Sequence, residues 1–376
     1  MTRIYLDHAA TTPMAEEVIK TFTDELNQVF GNASSIHQTG RSARKKLDEA
    51  RTIFASSIGA HVTEITITSG GTEADNYAIF GTAYARMNEG KHIITTQIEH
   101  HAVLHACEQL ERDGFEVTYL PVNKDGLINV DDLKNSLRED TILVSVMYAN
   151  NEVGSIQPIQ EIGDLLVDHP AYFHTDAVQA YGSISIDVQA LHIDLLSVSS
   201  HKINGPKGIG FLFQRKGIFL KPLFYGGQQE RKKRAGTENV PAIVAFAKAV
   251  ELKQSSFKDS ISHYQQLKKA FLNELGNKGV QFTINGSTDY VLPHVLNVSI
   301  PKTDVETFLV QLDLAGIDAS SGSACTAGSI DPSHVLVAMF GEKTPELRNS
   351  VRFSFGLNNT EQQVIEAANK ISKIIL

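Results

Sequence analysis

The sequence is poor in cysteine, with only two cysteines among 376 residues. So few cysteines argue against a disulfide scaffold and fit a reducing compartment. The amino-terminal residues contain no basic segment followed by an apolar core, and no apolar run approaches membrane-spanning length. We therefore expect no signal peptide, no membrane association, and a soluble protein located in the cytoplasm.

An excess of positive charge is also absent. The chain has 34 Lys and Arg residues against 43 Asp and Glu residues, a formal net charge of −9. It lacks the global basic field of a dedicated nucleic-acid binder, so we expect no direct contact with nucleic acid. The one basic cluster, Arg231–Arg234, is most simply interpreted as a solvated surface turn. No internal repeat or low-complexity tract is present.

The apolar fraction of 42% and the charged fraction of 20% are ordinary for a globular enzyme, and the length allows two domains. Short β-rich runs alternate with helical patterns through the first two-thirds of the chain. This alternation predicts an α/β fold with a mostly parallel sheet covered by helices on both faces. The predicted strands are Glu64–Thr68, His92–Thr96, Glu116–Leu120, Thr141–Met147, Ala171–His174, Asp194–Val198 and Gly210–Phe213. The predicted helices are Ala74–Met87, Ala102–Arg112, Val130–Leu137 and Pro158–Val167.

After Pro241 the pattern changes. A long helical stretch, Ala242–Leu275, leads to a smaller region with strands near Gln281–Ile284 and Val295–Ile300. We place a domain boundary near residue 255.

Lys202 follows an apolar run and lies in a turn rich in small and hydroxyl residues. Alone, it would be interpreted as a surface lysine after a strand. If the turn is buried, desolvation lowers the pKa of the amine and makes it nucleophilic, as a Schiff-base enzyme needs. Other residues nearby in the sequence decide between these interpretations.

Asp176 ends the apolar segment that begins at Ala171. A carboxylate at a strand end can pair with the protonated pyridine nitrogen of pyridoxal phosphate (PLP) and make the ring an electron sink. Ser199 and His201 offer donors for a phosphate. Together with Lys202, these residues predict a PLP cofactor anchored on the lysine.

A glycine-rich segment, Thr68–Asp75, follows a predicted strand and opens a predicted helix. Glycines let the backbone approach an anion, and the helix N-terminus supplies oriented N–H groups. The segment is not a nucleotide P-loop, because Gly-Lys-Ser/Thr is missing. A generic strand–helix turn and a phosphate site both fit this pattern.

A group of histidines, His100, His101 and His105, lies near Cys107. The spacing of His101 and His105 would allow a metal pair on a helix, but no third ligand is evident, so we expect no metal site. We expect His101 and His105 to be surface or packing residues and Cys107 to be a small buried hydrophobe.

Several motifs in a fixed order make the chain resemble the cysteine desulfurases of the NifS/IscS type, which are PLP enzymes of the class-V aminotransferase family. The resemblance runs through nearly the whole chain. The motifs are Tyr5–Pro13, Thr68–Asn76, Glu99–Val103, Ala149–Gly154, Arg234–Asn239, Ser320–Thr326 and Val351–Gly356.

The resemblance implies PLP-dependent fold type I, the aspartate-aminotransferase fold. It has a large PLP-binding domain with a mostly parallel seven-stranded sheet, here 15–255. A smaller α+β domain, here 1–14 and 256–376, would carry the catalytic cysteine loop.

The resemblance also assigns roles to single residues. Gly71 and Thr72 hold the PLP phosphate with Ser199 and His201, and Gln179 bonds the phenolic oxygen. Asn151 and Arg352 bind the substrate carboxylate, although a strand-end salt bridge is the simpler interpretation of Arg352. His100 stacks on the pyridine ring and moves a proton. Thr237, with Arg231–Arg234 beside it at the mouth of the site, reaches the phosphate of the partner subunit, which implies a homodimer.

Cys325 lies in a segment of small residues, Ser320–Ser329. A lone cysteine is usually inert packing, but small, polar neighbours are typical of a reactive thiol that moves between cofactor and acceptor. By resemblance, Lys202 removes the Cα proton of L-cysteine. Cys325 then takes the sulfur as a persulfide, L-alanine leaves, and the sulfur passes to an acceptor protein.

The loop around Cys325 resembles the longer-loop group of the family. The chain ends soon after Arg352, without the longer tail with which iron–sulfur members dock their scaffold. Iron–sulfur cluster assembly and tRNA thiolation therefore both stay open. A selenocysteine lyase or an aminotransferase of the same fold is an alternative, as is a sulfur-delivery docking protein with a vestigial PLP site.

Overall fold

The computed structural model describes residues 3–322 and 332–376 of the chain. These residues form twelve strands and twelve helices, with single turns at Val62–Glu64, Ser200–Lys202 and Gln229–Lys232. The strands are β1 (Ile4–Tyr5), β2 (Ile65–Thr68), β3 (His92–Thr96), β4 (Glu116–Leu120), β5 (Thr141–Ser145), β6 (Tyr172–Asp176), β7 (Leu195–Ser199), β8 (Gly210–Gln214), β9 (Thr283–Asn285), β10 (Val295–Ser299), β11 (Ile317–Asp318) and β12 (Ser350–Ser354). The helices are α1 (Glu16–Gln28), α2 (Gln38–Ser56), α3 (Gly71–Arg86), α4 (His101–Arg112), α5 (Val130–Ser136), α6 (Ile159–Leu166), α7 (Val240–Ser255), α8 (Phe257–Asn277), α9 (Val305–Leu314), α10 (His334–Phe340), α11 (Glu346–Asn349) and α12 (Glu361–Ile375).

Seven strands form the large sheet, in the order β2-β8-β7-β6-β5-β3-β4. The pairs from β7 to β4 are parallel, and β8 is antiparallel to both of its neighbours. The predicted mostly parallel seven-stranded sheet is therefore confirmed. Strands β2, β3, β5 and β7 contain β-branched residues and are fully buried, as expected where both faces of a sheet are covered, whereas the edge strand β4 is only partly buried.

Helices cover the two faces because successive side chains of a strand point in opposite directions. Phe211 and Phe213 of β8 pack in one apolar cluster with Phe54 of α2 and Phe246 of α7. Leu212, between them, belongs to a second cluster with residues of α3 and α4.

The parallel direction of β5, β6 and β7 brings their carboxyl ends to one edge of the sheet. Asp176 is the last residue of β6 and pairs in register with Ser197 of the neighbouring strand. Ser199 ends β7, and the chain turns at once through Ser200–Lys202. Ligands of open α/β sheets bind at this edge, which is where the sequence motifs also converge.

Two smaller sheets lie in the remainder of the chain. Strands β9, β10 and β12 form an antiparallel sheet, and β1 pairs in parallel with β11. A separate apolar cluster joins β1, β10 and β12 to helices α8, α9 and α12. The amino-terminal strand thus packs in the same core as the carboxyl-terminal third.

The predicted helical stretch Ala242–Leu275 is divided in the structure into α7 and α8. The break falls at Ser256, whose hydroxyl and N–H both donate to the carbonyl of Leu252. These bonds cap the carboxyl end of α7, and a serine that bonds the local backbone in this way favours the end of a helix.

In the described part of the chain, no helix is both long enough and apolar enough to cross a membrane.

Candidate active site

A cavity of about 410 Å³ lies at the carboxyl edge of the large sheet. Its wall contains every predicted site residue except Thr237 and Cys325. Those residues are Gly71, Thr72, His100, Asn151, Asp176, Gln179, Ser199, His201, Lys202 and Arg352. Thr237 is exposed elsewhere on the chain, and Cys325 lies outside the described residues.

Lys202 projects into this cavity from the turn after β7. Its Nζ donates to the carbonyl oxygens of Ala9 and Ala10, the latter at 2.8 Å. Burial of the amine lowers the pKa of Lys202 to about 8, and the positive charge of Arg352 acts in the same direction, whereas Asp176 opposes it. The neutral, nucleophilic form of the amine is therefore far more populated near neutral pH than that of an ordinary lysine, although the charged form still predominates at pH 7.

Asp176 is buried at the end of β6. Its Oδ1 accepts from the backbone N–H of Val178 at 2.8 Å. Burial raises the pKa of Asp176 to about 6, while the Val178 N–H and the charge of Lys202 favour its ionised form. Above that pH the carboxylate is anionic and can hold a protonated ring nitrogen.

The start of α3 forms the candidate anion site. Gly70 has φ 149°, a conformation open to glycine, and a Cβ on Gly71 would lie 2.7 Å from a methyl group of Val178. The absence of both side chains leaves the first N–H groups of a 16-residue helix open to the cavity. Ser199 and His201 line the same cavity.

His100 precedes α4 and caps it: its Nδ1 accepts from the N–H of Ala102 at 3.1 Å. Burial lowers the pKa of His100 to about 4, and the nearby charge of Lys202 lowers it further. The ring is therefore neutral at pH 7, and because Nδ1 accepts a hydrogen bond, the ring proton is on Nε2.

Arg352 lies in the middle of β12 and is buried. Its Nη2 donates to Oδ1 of Asp7 at 2.8 Å, and its Nη1 donates to the carbonyl of Asn151 at 3.0 Å. Its Nε has no hydrogen-bond partner among the described residues. The salt bridge considered from the sequence thus exists, and the guanidinium that forms it also lines the cavity.

Gln179 is fixed by a bond from its Nε2 to the carbonyl of Ala9, at 2.9 Å. Since Lys202 also bonds that carbonyl, the segment 9–10 connects the two side chains. This contact between segments far apart in the chain has no signal in the sequence.

Asp75 is a cavity residue that our sequence analysis did not identify. Burial and the negative charge of Asp176 hold the pKa of Asp75 well above its usual range, although a bond with Ser197 opposes the shift. Burial therefore favours the neutral form of this carboxyl group. The spacing of Asp75 from Thr72 could have identified it from the sequence, because a residue three positions after Thr72 lies on the same face of α3.

His101 and His105 lie on the surface, as predicted, and their rings contact each other. His101 also lines the cavity. Its ring lies 5.0 Å from that of His105 and 4.7 Å from that of His334, measured between centroids. The residues that the structure describes contain no group of three or more side chains able to hold a metal ion. Cys107 is fully buried, which confirms its predicted packing role, and burial raises the pKa of its thiol.

The donor set of this cavity fits PLP. A helix N-terminus with Ser199 and His201 suits a phosphate, Asp176 suits a pyridinium nitrogen, and Lys202 suits an aldehyde. These groups come from separate segments of the chain and share one cavity of suitable size.

The model of the family "Aminotransferase class-V" matches residues 4–366. A candidate cysteine desulfurase IscS 1 of Bacillus subtilis (strain 168) is 57% identical over 375 residues, covering 100% of this chain and 99% of that protein. The cysteine desulfurase IscS of Dictyoglomus turgidum is 46% identical, covering 99% of this chain and 94% of that protein.

A solved structure described as SspA in complex with cysteine is similar in both sequence and fold. It superimposes with a TM-score of 0.84 at 38% identity, covering 94% of this chain and 99% of that one.

Proposed function

The chain belongs to the class-V aminotransferase family, and we infer that it is a PLP-dependent cysteine desulfurase that converts L-cysteine to L-alanine. The observation that carries this inference is the cavity in which the Lys202 amine, with its lowered pKa, lies with Asp176 and the α3 N-terminus. The similarity to a protein solved with cysteine supports the choice of substrate.

The cofactor site would be formed by the side chains that already share the cavity. When bound, PLP supplies an electron sink for the carbon next to the substrate amine. Gly71, Thr72, Ser199 and His201 would hold its phosphate, and Asp176 its ring nitrogen. Gln179 would bond its phenolic oxygen, and His100 would stack on the ring.

Arg352 and Asn151 would orient the substrate. The guanidinium of Arg352 lines the cavity, and its N–H groups would donate to the α-carboxylate. Asp7 and the Asn151 carbonyl hold this guanidinium in place, so its position is set before substrate arrives. A substrate held in this way would present its Cα proton to Lys202, whose neutral amine would accept it.

Sulfur transfer requires a second thiol, and Cys325 is the residue we assign to it. The Cys325 thiolate attacks the substrate sulfur, a sulfur–sulfur bond forms, and the carbon–sulfur bond breaks. Cβ gains the proton that the Cys325 thiol gave up, and Lys202 returns the proton to Cα, so the enzyme thiol and L-cysteine give a persulfide and L-alanine with no outside oxidant. The neutral ring of His100, with a proton on Nε2, is placed to move a proton at the substrate thiol.

Downstream, the persulfide sulfur would pass to an acceptor protein, either an iron–sulfur scaffold or a tRNA-thiolation enzyme. The enzyme would act as a homodimer in which Thr237, exposed and outside its own chain's cavity, reaches the phosphate of the second site.

The deciding experiment measures sulfide and alanine released from L-cysteine in the presence of a reductant. Cys325→Ala should lose at least about 100-fold in rate, because the nucleophile is gone, while keeping the PLP absorbance. Cys107→Ala, which removes the other cysteine from a helix core, is the matched control and should stay active.

Turnover that survives Cys325→Ala would move the protein to the selenocysteine lyases or aminotransferases. A native protein that binds no PLP would point instead to a docking protein with a vestigial site.

A further inference from the structure

Three consecutive residues of the basic cluster region have left-handed backbones although none is glycine. The φ angles are 47° at Glu230, 56° at Arg231 and 68° at Lys232. Side chains disfavour this region, so each residue costs free energy, and such conformations persist where the surrounding structure imposes them. The sequence gives no hint of this turn, because none of the three residue types favours it.

A buried ion pair holds the first residue of the turn. Glu230 and Arg51 are almost fully buried, and their side chains meet through two bonds of 2.7 and 2.8 Å. Glu230 also accepts from the backbone N–H of Ile67 at 2.9 Å. Ile67 belongs to β2, the strand that leads directly into the glycine turn before α3. The left-handed turn is therefore bonded to the strand side of the phosphate site.

The residues after the turn are bonded to the helix side of that site. The carbonyl of Lys233 accepts from the hydroxyl of Tyr77 at 2.8 Å. Arg234 forms a two-bond pair with Glu73, at 2.8 and 3.1 Å. Glu73 lies in the first turn of α3 and also accepts from the N–H of Ser69 at 2.8 Å.

Segment 230–234 therefore connects β2 to α3 across the glycine turn and then leads outward to Thr237. We propose that the left-handed turn Glu230–Lys232 is a positioning element for the phosphate of the cofactor. It holds the β2–α3 turn of its own chain in shape and sets the place from which Thr237 approaches a second subunit.

The proposal rests on the proposed function, since it assumes that the cavity binds PLP. It also gives the basic cluster Arg231–Arg234 a structural role. Arg234 anchors the segment to α3 through Glu73. The exposed Arg231 and Lys232 contribute their backbone to the turn rather than forming a surface for acidic partners.

Lys232 allows a test that leaves the buried pair intact. Lys232→Val and Lys232→Gly both remove the same exposed charge, but valine resists a φ of 68° and glycine adopts it freely. Affinity of the full chain, stripped of cofactor, is measured for PLP and for pyridoxal, which lacks the phosphate. We expect Lys232→Val to weaken PLP binding about tenfold and pyridoxal binding less than about twofold, and Lys232→Gly to match the native chain.

Lys302→Val is the matched control, because Lys302 is also exposed with a φ of 68° but lies in the turn between β10 and α9. It should leave both affinities unchanged.

Equal PLP affinity in the valine and glycine variants of Lys232 would overturn the proposal. So would a parallel loss of PLP and pyridoxal affinity in Lys232→Val, because that pattern indicates general damage to the fold.

Thr237→Val, measured alongside, tests the contact in the proposed function separately. If Thr237→Val loses PLP affinity while Lys232→Val and Lys232→Gly bind PLP equally well, the threonine contact is supported and the proposed role of the turn is rejected. If instead Thr237→Val binds PLP as the native chain does and only Lys232→Val binds it more weakly, the turn acts on the phosphate through Gly71 and Thr72. A native chain that binds neither ligand would overturn both proposals.

Discussion

At the scale of single residues, burial sets the protonation states that the chemistry needs. The Lys202 amine has a pKa lowered to about 8 by burial, whereas burial raises the pKa of Asp176 to about 6. Between these two values the cavity combines an anionic carboxylate with an amine that is partly neutral. A lysine in water would be almost fully protonated at that pH, whereas an aspartate would be anionic there as well, so burial changes the state of Lys202 and leaves that of Asp176 the same.

Chemical labelling of the Lys202 amine tests this arrangement. In the cofactor-free chain the rate of acetylation should rise with pH and reach half its maximum near pH 8, because only the neutral amine reacts. Asp176→Asn should move this midpoint to lower pH, since the negative charge of Asp176 favours the charged ammonium. Mass spectrometry of the Lys202 peptide across a pH series gives both midpoints. A midpoint near pH 10.4, the ordinary value for a lysine, would contradict burial as the cause.

At the scale of elements, caps position the helices that support the site. Helix α12 begins with a reciprocal cap, in which the Thr360 hydroxyl accepts from the N–H of Gln363 and the Gln363 side chain accepts from the N–H of Thr360. The helix buries Val364, Ala367 and Ile371 against the core that also contains β12. Because β12 carries Arg352, this cap stabilises the core behind the substrate site.

Removal of the cap should lower stability without changing the chemistry. Thr360→Ala should reduce the free energy of unfolding by about 1 kcal/mol, because the N–H of Gln363 loses its acceptor. Thr360→Ser keeps the hydroxyl and should stay close to the native value. Thermal unfolding of the two variants measures the difference, and equal melting temperatures would show that the cap contributes nothing.

At the scale of the whole molecule, the main apolar clusters of the described residues divide the chain. Two of them pack on the large sheet, and a third joins β1 to the carboxyl-terminal third. This division supports our proposed domains, 15–255 and 1–14 with 256–376, in which the site lies between the large sheet and β12. Lys202 comes from the first domain and Arg352 from the second.

Mixed dimers test the proposed contribution of the second subunit. A dimer of one Lys202→Ala chain and one Thr237→Val chain contains one site with an intact lysine and an intact partner threonine. That site should bind PLP with native affinity, whereas the Thr237→Val homodimer should bind more weakly because both phosphates lose a hydroxyl contact. Titration of the purified mixed dimer by PLP absorbance gives the affinity. A mixed dimer as weak as the Thr237→Val homodimer would show that Thr237 does not act across the interface.

The local sequence pattern predicted much of the fold. Alternating runs of β-branched residues predicted β3 and β4 with their observed bounds, since those residues favour buried strands. The chemistry of Lys202 and Asp176 was enough to identify them as candidate site residues, because an amine and a carboxylate at the ends of neighbouring parallel strands meet at one edge of the sheet.

The sequence by itself thus determined the α/β class, the large sheet and the chemical character of the site. Only the tertiary structure decided the pairing of Arg352 with Asp7, 345 residues apart, and the burial of Asp75 beside Asp176, which raises the pKa of Asp75. It also decided the left-handed turn at Glu230, which depends on a buried arginine 179 residues away. Local propensity sets which elements form, whereas these contacts arise only when distant segments pack and exclude water.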